Sequence, residues 1–93
     1  MKELKFQTLA KKYVCQYVNR ILDKSDKKTI TEDDVYIVWM CYILGNNKAL
    51  LSTTLNDGMY YEITYNADKK EMYIDAYKKW ENMVINITDD GGD

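Results

Sequence analysis

The sequence predicts an α+β domain, in which one N-terminal helix packs on an antiparallel β-meander of about four strands and a C-terminal segment adds a short helix or a strand. Three observations predict it. Residues 3–22 repeat apolar side chains at helical spacing. Residues 34–77 alternate hydrophobic and tyrosine residues with polar ones, broken by the turn sequences Leu44-Gly45-Asn46-Asn47-Lys48 and Leu55-Asn56-Asp57-Gly58-Met59. A length of 93 residues suits one domain with a single thin core of helix on sheet. The expected division is one domain over residues 1–88 and a disordered acidic tail over 89–93.

Projected at 100° per residue, the first segment gathers Phe6, Leu9, Ala10, Tyr13, Tyr17 and Ile21 on one side, with Val14 and Val18 at its edge. Lys5, Lys12 and Asn19 fall opposite, joined by Asp23. Residues 1–29 hold eight Lys/Arg against three Asp/Glu, whereas residues 30–93 hold five against twelve, so the total of −2 hides a basic end and an acidic body. Two aligned lysines beside an aspartate make a solvated helix face rather than a stripe that tracks phosphates, which argues against a nucleic-acid partner. The helix should end in a polar linker, Asp23-Lys24-Ser25-Asp26-Lys27-Lys28.

Thr31-Glu32-Asp33-Asp34 places an acid three residues after a threonine, a helix-start signal that predicts one turn before the first strand. Its carboxylates are contiguous, whereas a calcium loop spreads its ligands over about a dozen residues, so no metal site is expected.

In the first strand both faces are apolar: Val35, Ile37, Trp39, Cys41 and Ile43 share one, and Tyr36, Val38, Met40, Tyr42 and Leu44 the other. A two-residue turn at Asn46-Asn47, pairing Leu44 with Ala49, puts the Trp39 set on the open face; a loop longer by one residue swaps the sets. Both alternatives stand at the level of sequence. Asn56-Asp57-Gly58 reads as a three-residue hairpin loop pairing Leu55 with Met59. Ala49, Leu51, Thr53 and Leu55 then lie with Met59, Tyr61, Ile63 and Tyr65 under the helix, and Leu50, Ser52, Thr54, Tyr60, Glu62 and Thr64 point the other way. In the fourth strand Met72, Ile74 and Ala76 take the core side and Tyr73, Asp75 and Tyr77 the open side, after a loop at Asn66-Ala67-Asp68-Lys69-Lys70. Residues 78–87 carry Trp80, Met83, Val84, Ile85 and Ile87 and either fold back over the open face or add a fifth strand at 84–87.

Catalytic groups do not assemble from this pattern. Histidine is absent, Ser52, Thr53 and Thr54 have no base partner, and Glu62 with Asp75 occupies an ordinary cross-strand polar position, so the chain reads as a non-enzyme without cofactors. Cys15 and Cys41 read as free thiols of a reducing compartment. The longest apolar run falls well short of the roughly 20 residues that cross a bilayer, and the charged first residues do not resemble a signal peptide, so a cytoplasmic, membrane-free location is expected. Binding is the expected activity, and its expected surface is the open sheet face, with Trp39, Tyr60, Glu62, Tyr73, Asp75 and Tyr77, because tyrosine and tryptophan dominate binding hot spots. The competing structural use is a small second core in which Trp39 or Tyr42 meets Trp80. A homodimer through the same face is a special case of binding.

The stretches Ile30-Thr31-Glu32-Asp33-Asp34-Val35-Tyr36, Lys48-Ala49-Leu50-Leu51-Ser52-Thr53-Thr54, Asn56-Asp57-Gly58-Met59-Tyr60-Tyr61-Glu62 and Ile74-Asp75-Ala76-Tyr77-Lys78-Lys79-Trp80 resemble a family of small uncharacterised proteins from phages and prophages of Gram-positive bacteria. The resemblance covers most of the chain and carries no established activity. It implies an accessory gene expressed in the host cytoplasm. With the composition, it leads to the expectation of a protein that binds and inhibits or modulates a host protein, for instance a defence system such as a CRISPR effector. The acidic residues Asp33, Asp34 and Asp57 allow a version that imitates nucleic-acid charge. The alternative is a small-molecule binder that sequesters an immune nucleotide signal, stacking its base on Tyr or Trp and meeting phosphates with Lys48, Lys69 or Arg20. A homo-oligomeric structural protein is the third expectation.

Overall fold

The computed structural model describes residues 1–25 and 29–88. One helix, α1 (Glu3–Ser25), and a single 3₁₀ turn (Glu32–Asp34) precede four strands, β1 (Val35–Ile43), β2 (Asn46–Thr53), β3 (Met59–Asn66) and β4 (Glu71–Lys78). The strands form one antiparallel sheet in the order β1-β2-β3-β4, so the α+β meander expected from the sequence is the fold. The first half of the expected linker continues α1 as far as Ser25, and the rest of it, like the acidic tail, lies outside the described residues.

The core forms where α1 lies against the sheet. Phe6, Ala10, Val14 and Val18 step along one seam of the helix and are buried with Ile30, Val35, Ala49, Leu51, Tyr61 and Ile63. This corrects the expected stripe: Val14 and Val18, placed at its edge, are its centre, while Tyr13 and Ile21 are partly exposed. The seam is set by what it packs on. Small and β-branched residues at 10, 14 and 18 let the helix approach closely, and the bulkier Leu9, Tyr13 and Tyr17 flank it. Asn19 is also turned inward rather than into solvent. Its side chain accepts from the Ile30 N–H at 2.7 Å and donates to the Ile30 carbonyl at 2.9 Å, tying the strand-leading segment to the helix.

The turn before β1 is built on Asp34. Its carboxylate accepts from the Thr31 N–H at 2.9 Å and from the Thr54 hydroxyl at 3.3 Å, and its carbonyl accepts from the Thr54 N–H at 2.9 Å. That last bond carries the β1–β2 ladder one step past Thr53. The β2–β3 connection is a five-residue loop rather than the expected three-residue one, and Leu51 pairs with Tyr61 instead of leaving Leu55 opposite Met59. The pairing moves by two residues, so every side chain keeps its expected face.

The β1–β2 connection differs more. The turn is Leu44-Gly45, not Asn46-Asn47, and both residues have positive φ (52° and 81°), as a type I′ hairpin turn requires. Ile43 pairs with Asn46 and Trp39 with Leu50, but Ile37 pairs with Leu51, because Val38 is a bulge residue with no partner of its own. The bulge divides the expected set Val35, Ile37, Trp39, Cys41, Ile43. Val35 and Ile37 face the helix, whereas Trp39, Cys41 and Ile43 face away. Each sequence alternative thus holds for one half of the strand, and the apolar character of both faces is explained.

β3 and β4 pair from Met59↔Lys78 to Asn66↔Glu71, with Met72, Ile74 and Ala76 on the helix side as expected. Beyond Lys78 the chain keeps the line of the strand for one more bond, from the Lys79 N–H to the Gly58 carbonyl at 2.7 Å. Residues 80–88 then run free of any strand or helix of the described chain, and Trp80 is 95% exposed. The segment neither folds back over its own open face nor adds a fifth strand to its own sheet.

Candidate functional site: the open sheet face

Side chains that alternate away from α1 form one face across all four strands. Trp39, Leu50, Glu62 and Asp75 are successive cross-strand partners and make a single row from edge to edge. Tyr60 stands opposite Tyr77 on one side of that row, and Thr64 opposite Tyr73 on the other. All six residues expected to form the surface (Trp39, Tyr60, Glu62, Tyr73, Asp75, Tyr77) therefore share this face. Trp39 reaches it only through the bulge at Val38.

The face also holds residues that simple alternation assigned elsewhere. Tyr36 pairs with Ser52, on the same side as Trp39, and is about half exposed. The signal that could have found it is the mismatch of two apolar faces on one strand, which a bulge resolves. Trp80 does not reach Trp39, so the second core imagined for the pair is not formed within one chain.

Polar groups on the face are held in defined positions. The Lys48 ammonium lies 3.6 Å from the Glu62 carboxylate, a diagonal pair across β2 and β3. The Tyr73 hydroxyl donates to the Glu71 carboxylate at 2.8 Å, and this bond, ahead of its small desolvation, raises the phenol's pKa. Ser52 donates its hydroxyl to the Met59 carbonyl at 2.8 Å and Thr53 Oγ1 accepts from the Leu55 N–H at 3.2 Å, so both tie down the β2–β3 loop. Asp75 faces Glu62 directly across the ladder with one nearby cation, which gives the row an acidic end beside its aromatic one.

Groups suggested for phosphate recognition do not converge. Lys48 belongs to the open face, Arg20 stacks over the Tyr17 ring at 5.5 Å on the helix side, and Lys69 sits in the β3–β4 turn. The helix side contains instead shallow clefts, one of about 410 Å³ lined by Met1, Glu3, Met40, Tyr42 and Asn47. Asn47 Oδ1 there is buried without a hydrogen-bond partner among the described residues. Cys15 is buried against the Ile30 carbonyl, with its thiol pKa raised chiefly by burial, and Cys41 is exposed; both are free. Among the described residues no cluster of metal-ligating side chains occurs, and no helix is long and apolar enough to cross a membrane.

Residues 7–87 match a family of unknown function (DUF6275). No curated protein and no solved structure matches the chain.

Proposed function

Since the chain belongs to that family of unknown function, DUF6275, over nearly its whole length, we propose its activity from the face itself: it is a non-enzymatic binding protein whose open sheet surface docks a partner protein. The observation that carries the reading is the row Trp39–Leu50–Glu62–Asp75, flanked by Tyr36, Tyr60 and Tyr77 on a sheet face that no element of the described residues covers. Large, stiff aromatic side chains give contact area at low entropic cost, and the carboxylates at one end fix polarity and register. A partner that fits presents an apolar or aromatic anchor toward Trp39 and a cationic group, of the arginine kind, toward Glu62 and Asp75. The resemblance to small phage and prophage proteins supports the finer reading, in which the partner is a host protein in the host cytoplasm and the outcome is inhibition or modulation, as of a defence system.

The test is a comparison of the wild type with Trp39→Ala and Tyr60→Ala, two positions on the face and away from the β4 edge. Hot-spot truncations weaken binding by about 2 kcal/mol or more each, roughly thirtyfold. Binding unchanged in both variants, with the fold intact, removes this face from consideration.

A further inference from the structure

Residues 80–88 are the least explained part of the chain. Trp80, Met83, Val84, Ile85 and Ile87 are each at least 70% exposed, and large apolar side chains left together in water mark a surface that is covered in the working form. The arm leaves on the line of β4, pinned by the Lys79–Gly58 bond. β4 itself is an edge strand, and one side of its backbone has no partner strand among the described residues. The opposite edge, β1, is interrupted by the Val38 bulge, a device that discourages pairing; β4 has no such interruption.

We propose that the arm of one copy pairs antiparallel with β4 of a second copy, and that the second arm pairs with β4 of the first in return. Residues 71–88 of each chain then act as one long strand set against its twin about a two-fold axis. The proposal does not rest on the open-face reading.

The sequence of the strand argues for this occupant because it is complementary to itself. About a two-fold axis perpendicular to a sheet, opposed residues point to the same side, so the axis must pass through one residue position, opposite itself. A centre at Lys79 would set lysine against lysine, and one at Glu81 would set glutamate against glutamate, each a repulsive cross-strand pair. A centre at Trp80 sets the two indoles together and Lys79 of each chain against Glu81 of the other. The same register sets Met83 beside Tyr77, Ile87 beside Tyr73 and Val84 beside Ala76, against the mismatched pairs Asp75 with Ile85, Ile74 with Asn86 and Met72 with Thr88. Matched pairs outnumber mismatched ones in this register, and both free backbone edges are paired. Closure is complete, since neither arm remains for a third copy.

Sedimentation across a concentration series, with two variants, tests this. The wild type should sediment as a dimer of the 11.0 kDa chain. Lys79 turns its N–H to its own sheet, so Trp80, Asn82 and Val84 turn theirs to the free edge; Val84→Pro removes a donor of the proposed pairing and should give a monomer with the circular dichroism of the wild type. Trp80→Cys, in a Cys41→Ser background, should form an intermolecular disulfide on mild oxidation, because opposed residues of an antiparallel pair lie within disulfide range. Leu44→Cys, on the remote β1–β2 turn, should not. A wild type that is monomeric throughout the series overturns the proposal. So does a dimer that survives Val84→Pro while Trp80→Cys stays uncrosslinked. Loss of partner binding in Trp39→Ala with the dimer intact would bear on the open face alone.

Discussion

At the scale of the residue, two side chains carry more than their positions in the sequence suggest. Asn19 replaces the missing partners of the Ile30 backbone with both halves of its amide. Asn19→Ala should lower stability by about 1–3 kcal/mol, the cost of leaving buried backbone groups unpaired, measurable by urea denaturation with an unchanged slope. Tyr61 is buried edge-on against Tyr17, with ring centres 5.8 Å apart. Burial, then the charge of Asp57, pushes its phenol up from 10.0 to about 12. The folded chain therefore holds this proton where the unfolded chain has released it. The stability it contributes is complete below pH 10 and falls as the pH rises toward 12. Tyr61→Phe should flatten that alkaline decline; an identical decline in the variant would show that other groups cause it. Neither role was legible beforehand. Asn19 projects onto the polar side of an ideal helix, and only the path of the chain at Ile30 makes that side an inner one.

At the scale of the element, the bulge and the tight turn decide what the sheet shows to solvent. Leu44 and Gly45 hold the positive φ pair that closes β1 onto β2. Gly45→Ala meets open space, so its cost is conformational alone, about 1–2 kcal/mol. Val38 is unpaired, and its removal leaves Ile37 opposite Leu51 and Trp39 opposite Leu50 in a regular ladder. Deleting Val38 should therefore preserve the fold and keep Trp39 accessible to a collisional quencher. Burial of that indole in the deletion variant would show that the bulge does not set its face. The faces of β2, β3 and β4 were legible because alternation survives a two-residue change of register. Turn positions were not, because Leu44 is a poor guide to a left-handed residue and Asn46-Asn47 a good one. The bulge was visible only as a strand with two apolar faces.

At the scale of the whole molecule, the chain separates a covered side from an uncovered one. α1 and the seam Phe6–Ala10–Val14–Val18 close one face of the sheet over a single core, and truncation there, as in Leu51→Ala, should cost about 2–5 kcal/mol. Among the described residues, the other face and the arm at 80–88 are left exposed. The aromatic composition of that face could be read from the sequence, and so could the apolar character of the arm. Whether the arm returns over its own sheet could not be read, since that depends on the line along which β4 ends rather than on any residue in the arm. The most direct test of the central claim is affinity capture from a lysate of the organism that encodes the chain, comparing wild type with the Trp39→Ala/Tyr60→Ala double variant at matched thermal stability. A stoichiometric protein retained by the wild type and lost from the double variant is the predicted result; equal retention by both, or none by either, would contradict it.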